Sequence, residues 1–151
     1  MTAAELVTIT KPDDWHLHLR DEIALKTTVP ATSRVFGRAI VMPNLKPPVT
    51  SVKMALNYRS RILKHKTPDS SFNPLMTLFL TDNLDPNEIA SLSNEESVVA
   101  LKYYPAGATT NSDTGVTNIK NVYPVIEKMA ELGVPLLLHG EVTENHIDIF
   151  D

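Results

Sequence analysis

The stretch "DDWHLHLRD", Asp13 to Asp21, places His16 and His18 one residue apart between large apolar side chains. In an extended strand, residues i and i+2 project to the same side, so both imidazoles face one surface. Neutral imidazole is the commonest metal ligand among side chains, and two such nitrogens are half of a tetrahedral zinc set. On its own the pair is open between a metal site and a hydrogen-bonded core pair. Lys102 follows the apolar run "VVAL", and His139 follows "PLLL". Alone, Lys102 reads as a strand-end lysine reaching solvent, and His139 as a hydrogen-bonded core histidine. Arg20 could pair with Asp14 or Asp21, yet its forked guanidinium beside a metal centre also suits a carboxylate ligand. Asn44, in "MPNLKPPV", is either a turn residue or a donor to the same ligand. Trp15, Leu17 and Leu19 have the opposite parity and read as packing. His65 and His146 read as surface residues.

These side chains need elements to hold them in register. Short apolar runs bounded by Gly or Pro predict strands over "WHLHL" (15–19), "RAIVM" (38–42), "PLMTLFL" (74–80), "VVALKYY" (98–104) and "VPLLLHG" (134–140). Between them lie helical stretches. The first falls within 22–36 and is interrupted by Pro30. The second starts after a Ser51 cap, with Val52, Ala55, Leu56, Ile62 and Leu63 on one side. A short third is opened by Asp85 and Pro86. The fourth carries Ile119, Val122, Tyr123, Ile126, Met129 and Ala130 on one face and stops at Gly133. A helical start is also expected in "TENHIDIFD" at 143–151. The long polar segment "PAGATTNSDTGVTN" after the fourth strand is of a length that marks functional loops.

Alternating strands and helices predict a parallel sheet with right-handed crossovers. Two architectures fit: a doubly wound open sheet, or about five of the eight units of a (β/α)8 TIM barrel, which needs ~250 residues in full. "WHLHLRD" stands where a dinucleotide-binding fold carries its glycines, so that function loses its main support. In either architecture the strands' carboxyl ends form the functional rim, and His16, His18, Lys102 and His139 all approach that level. The joint placement favours metal ligation over each separate alternative.

With 18 acidic against 14 basic residues, the net charge of −4 argues against a nucleic-acid partner. There is no cysteine, hence no disulfide or thiolate site. The first residues lack a signal-peptide pattern, and no apolar run nears the ~20 residues that span a membrane. A single domain over residues 1–151, in the cytoplasm, is the expectation.

Together "DDWHLHLRD", "VMPNLKPPV", "LKYYPAGATTNS" and "LLLHGEVT" resemble dihydroorotases of the shorter bacterial type, within the metal-dependent amidohydrolase superfamily. The resemblance runs through essentially the whole chain. It implies the (β/α)8 barrel, with only about its first five units present here. It further implies that His16 and His18 bind one Zn2+ and His139 another. Lys102, carboxylated on its amine, would bridge both ions. Arg20 and Asn44 would hold the substrate carboxylate, with Thr109 and Thr110 closing over it. The implied reaction is the reversible cyclisation of N-carbamoyl-L-aspartate to L-dihydroorotate in pyrimidine biosynthesis, by a homodimer. The family's further zinc-binding histidines and its aspartate base are expected beyond Asp151. Asp148 and Asp151 are not promoted to that role. The chain alone is therefore expected to be inactive and to need its C-terminal half. The alternatives are another cyclic-amide hydrolase, such as a hydantoinase or allantoinase, or a non-catalytic barrel fragment acting as a scaffold.

Overall fold

A computed structural model describes residues 6–142 together with Ile147. The expectations for His146, Asp148, Asp151 and a helical start near 143–151 lie outside the described residues. Five strands, β1 (Asp14–Leu17), β2 (Arg38–Val41), β3 (Asn73–Phe79), β4 (Val98–Tyr103) and β5 (Leu136–Leu138), alternate with α1 (Leu25–Val35), α2 (Val52–Leu63), α3 (Asn87–Ser93) and α4 (Tyr123–Leu132). All neighbouring strands pair in parallel, in the order β1-β2-β3-β4-β5. A doubly wound sheet must reverse its strand order to put helices on both faces. Strictly sequential order sends every crossover the same way, as in a (β/α)8 barrel, and sets the doubly wound alternative aside. Among the described residues no helix is long and apolar enough to cross a membrane.

Helices cover one face of this sheet. Val41, Leu78 and Leu101 point into that layer and meet Val29, Ala55, Ile62 and Ile89 in one apolar cluster. Two helix starts behave as their sequences require. The Ser51 hydroxyl accepts from the Met54 amide at 3.3 Å, and the Asp85 carboxylate accepts from the Asn87 amide at 2.9 Å. Gly133, with φ of +67°, closes α4 in the left-handed conformation that glycine adopts without strain.

The structure departs from expectation at three places. Pro30 does not interrupt α1, which runs through it from Leu25 to Val35. The missing N–H is tolerated because Leu25, Val29, Thr32 and Ser33 are buried and hold the helix by packing. In the fourth helical segment Val122, Val125 and Met129 are buried, whereas Ile119 and Tyr123 are exposed. Residues 119–122 wind as a 3₁₀ turn, and three residues per turn shift the phase of the apolar stripe. Trp15 is not a packing residue: it is 53% exposed, with the Arg38 guanidinium 5.1 Å from its ring. The β1–β2 register slips between Asp14 and Leu17, which takes Trp15 out of simple alternation.

A candidate metal and carboxylate site at the strand ends

The strands that carry the candidate residues also aim them. Between the pairs Met76↔Val98 and Thr77↔Ala100 the register slips by one residue in β4. Val98 and Leu101 both join the helix-facing cluster. Without the extra residue, Lys102 would have shared the parity of Val98; with it, Lys102 turns to the opposite face. There Lys102 pairs with Phe79 on one side and Leu137 on the other. His139, two residues past Leu137, continues on that face, its amide donating to the Tyr103 carbonyl at 3.0 Å. In β1 the slip is stabilised locally, since the His16 amide donates to the Asp14 carboxylate at 3.0 Å.

His16 and His18 converge as the spacing predicts. Their Nε2 atoms are 3.2 Å apart and their ring centroids 5.1 Å. Two nitrogens each ~2.0–2.1 Å from one zinc, at a tetrahedral angle, lie about 3.4 Å apart, so the pair fits a shared ion. Burial, then the charge of Lys102, lowers the pKa of His16; burial, then His16 and Arg20, lowers that of His18. Both shifts favour the neutral imidazole that ligates metals. Lys102 is 2% exposed, and burial lowers its pKa toward the neutral amine. Its Nζ donates to the Leu138 carbonyl at 3.0 Å. The His139 Nε2 lies 2.6 Å from a Glu141 carboxylate oxygen. Among the described residues no group of three or more His, Cys, Asp or Glu side chains is placed to hold a metal. The residues present therefore fit part of a coordination set: a converged histidine pair plus a lysine that becomes an anionic oxygen ligand only once carboxylated. His65 follows the end of α2 and its amide donates to the Ile62 carbonyl, away from these strand ends.

The rim around them is tied down by bonds that the sequence did not announce. Arg20 has φ of +61° and Glu22 φ of +51°, the left-handed region that non-glycine residues seldom occupy. The Tyr58 hydroxyl donates to the Arg20 carbonyl. Asp21 pairs with neither Arg20 nor a lysine but with Arg61, at 2.9 and 2.6 Å. Burial works to raise the Asp21 carboxyl, but the Arg61 and Glu22 hydrogen bonds outweigh it and hold it below the usual range. Asn44, 2% exposed, is also engaged: its Nδ2 donates to the Thr110 carbonyl at 2.8 Å, and Asn111 Nδ2 donates to the Asn44 carbonyl at 3.0 Å. Thr109 is pinned by Ser112, whose hydroxyl accepts from the Thr109 amide at 2.9 Å and donates to the Thr109 carbonyl at 2.7 Å. So the loop is fastened over the rim, with both candidate threonines on it. A Cβ on Gly115 would come within 2.5 Å of the Tyr104 carbonyl oxygen, so only glycine allows that close return.

Sequence reasoning missed Tyr58, Arg61 and Tyr104. The first two are a helical turn apart on α2 and gave no long-range signal. Tyr104 did give one, since it lies two residues beyond Lys102.

Sheet order, helix-covered outer face and polar strand ends define the class: part of a (β/α)8 barrel. No family model matches the chain. Curated relatives do: it is 61% identical over 145 residues to a dihydroorotase of Shewanella denitrificans, an alignment covering 96% of this chain and 42% of that protein. Among solved structures it is similar to the dihydroorotase of Campylobacter jejuni, with a TM-score of 0.81 and 42% identity over 91% of this chain and 39% of that one. It is also similar to the Saccharomyces cerevisiae dihydroorotase solved with 5-fluoroorotic acid, with a TM-score of 0.80 and 32% identity over 91% and 38% of the two chains. An Arthrobacter aurescens L-hydantoinase, 16% identical with a TM-score of 0.67 over 87% of this chain and 29% of that one, shares the fold alone. The resemblance to dihydroorotases thus holds over nearly the whole chain, in sequence and in fold. The chain spans about 42% of the length of the curated relatives it matches.

Proposed function

We propose that residues 1–151 form a single domain supplying the N-terminal part of a dihydroorotase active site, which works only when the remaining strands of the barrel are present. The observation that carries this reading is the 3.2 Å approach of the His16 and His18 Nε2 atoms, on the sheet face that also holds Lys102 and, at the adjoining edge, His139. His16 and His18 would hold one Zn2+, and His139 the second. Lys102 is suited to bridge them. Burial lowers the pKa of its amine, and the neutral amine attacks CO2 at carbon, forms an N–C bond and releases one proton. The carbamate produced is a bidentate anion. Two zinc ions, when bound, would supply Lewis acidity toward the ring amide carbonyl and lower the pKa of water.

The chain's own residues do the remaining work. Arg20, its carbonyl anchored by Tyr58, presents a fork for the carboxylate of N-carbamoyl-L-aspartate or L-dihydroorotate. Asn44 keeps one amide hydrogen for that ligand while its other hydrogen holds the loop. Thr109 and Thr110 stand on that loop and would shut water out of the closed site. The general base belongs to the complement. A cytoplasmic homodimer in pyrimidine biosynthesis is the setting this reading expects.

The test is turnover of N-carbamoyl-L-aspartate by this chain with and without the C-terminal barrel portion of a relative, alongside zinc analysis. Activity only in the mixture, with about two zinc ions per assembled site, supports the reading. An Arg20→Met assembly that turns over at the unmodified rate would sink the carboxylate role, and with it the preference over a hydantoinase or allantoinase. A chain that assembles yet takes up no zinc would leave the scaffold reading.

A further inference from the structure

Tyr104 is 1% exposed, and its hydroxyl is the one buried side-chain polar atom without a hydrogen-bond partner among the described residues. A buried donor left unpaired is costly, so its retention calls for a partner that arrives later. The ring is held firmly in place. It stacks on Phe79 with centroids 5.2 Å apart; Lys102 Nζ lies 5.1 Å from its centre, and the His139 ring 5.7 Å. Two residues past Lys102 along an extended chain is ~7 Å toward the mouth of the barrel. The Arg20 guanidinium is near enough for its charge to act on the phenol. A hydroxyl donor beside a guanidinium converges with it on an anion.

We infer that Tyr104 is a ligand-positioning residue whose hydroxyl donates a hydrogen bond to the carboxylate-bearing ligand recruited by Arg20 and Asn44. This rests on the carboxylate site proposed above. No group is transferred. The phenol replaces an absent partner with an anionic oxygen, and Phe79 fixes the direction in which it points.

The experiment uses Tyr104→Phe, which removes one oxygen atom and leaves the stacking surface. The chain, its Y104F variant and an R20M control are each assembled with the C-terminal barrel portion of a relative and titrated with 5-fluoroorotate, and the chain and Y104F are separately melted without ligand. The expected result is a 10- to 100-fold weaker 5-fluoroorotate affinity for Y104F, the cost of losing a hydrogen bond to a charged group. Its ligand-free melting temperature should be unchanged or higher, because the unpaired hydroxyl is gone. A role in packing alone would leave affinity in place. Equal affinity overturns the inference, and so does a lower melting temperature for ligand-free Y104F, since the hydroxyl would then already have a partner. If the unmodified chain and R20M bind the probe equally, or neither binds it, the carboxylate site itself falls and this inference with it. Binding by the unmodified chain, lost in R20M but kept in Y104F, overturns the Tyr104 role alone.

Discussion

Replacing Arg61 by Met removes the clamp beneath Arg20 while keeping an apolar stem against Tyr58. Arg61 donates to both oxygens of Asp21, at 2.9 and 2.6 Å, and its guanidinium lies 5.4 Å from the Tyr58 ring. Hydrogen bonds to charged groups are worth ~1.5–3 kcal/mol each when well buried. Here the Arg61 side chain is 37% exposed and that of Asp21 22%, so solvent screening brings the pair down to about 1–2 kcal/mol. For a domain of this size that lowers Tm by about 2–8 °C. The pH dependence follows from Asp21, whose folded pKa is held below its ordinary value. A carboxyl depressed on folding contributes stability above its unfolded pKa of about 3.9 and loses it as pH falls through the folded value. The Tm gap between the unmodified chain and R61M should therefore be constant from pH 7 to about pH 5, shrink below about pH 4, and close in stronger acid. A double-mutant cycle with Asp21→Asn, which can still accept from the Glu22 amide, should return a coupling of about 1 kcal/mol. Hydrogen exchange at Arg20–Glu22 should quicken in R61M, because the left-handed pair at Arg20 and Glu22 then loses one of its two ties. A gap that persists unchanged at pH 3, or zero coupling in the cycle, would refute the clamp.

Gly115→Ala forces a Cβ to within 2.5 Å of the Tyr104 carbonyl and should cost about 1–3 kcal/mol, seen as a lower urea midpoint; an unchanged midpoint would mean that the loop yields freely. Asn44→Ala removes one of the two hydrogen bonds between residue 44 and the 105–116 loop, so that loop should be cut faster by protease at pH 7 while the sheet's amide exchange stays slow. His16→Ala should abolish Zn2+ uptake at the paired site, read by elemental analysis, with far-UV circular dichroism unchanged because His16 is exposed. Ser51→Ala should destabilise the chain by ~1 kcal/mol through loss of the Met54 cap, measured by thermal melting.

Short apolar runs bounded by Gly or Pro made all five strands legible, because burial in a parallel sheet demands continuous apolar stretches. Two caps, Ser51 and Asp85, were legible for the same local reason. Pro30 misled because propensity is a weak prior that tertiary packing overrides. The α4 face misled because periodicity assumes 3.6 residues per turn, while residues 119–122 wind more tightly. In the candidate site, strand parity put His16 and His18 on one side, and strand-end position marked Lys102 and His139. The contacts that tie residues tens of positions apart were not legible. Tyr58 reaches the Arg20 carbonyl 38 positions away, and Asn44 reaches Thr110 66 positions away. No local pattern encodes such a partner.

Parity alone would have misplaced Lys102, which its position near the end of the fourth strand singled out. Strict alternation along β4 from Val98 would send Lys102 into the helix layer beside Leu101's cluster, where an amine has no partner. The extra residue at the slip reverses this, and the companion slip in β1 lies between Asp14 and Leu17, the span that holds His16. The β2–β3 and β4–β5 ladders run without such irregularity. Both slips thus lie on strands that bear candidate ligands. A bulge leaves an unpaired backbone group and bends its strand, so it persists only where something compensates. In β1 the Asp14 carboxylate does so by taking the His16 amide. In β4 the compensation is positional: Lys102 gains the Leu138 carbonyl and a place facing Tyr104. The geometry that makes these side chains chemically useful is therefore set by two departures from regular sheet structure, each on the strand whose side chains it aims.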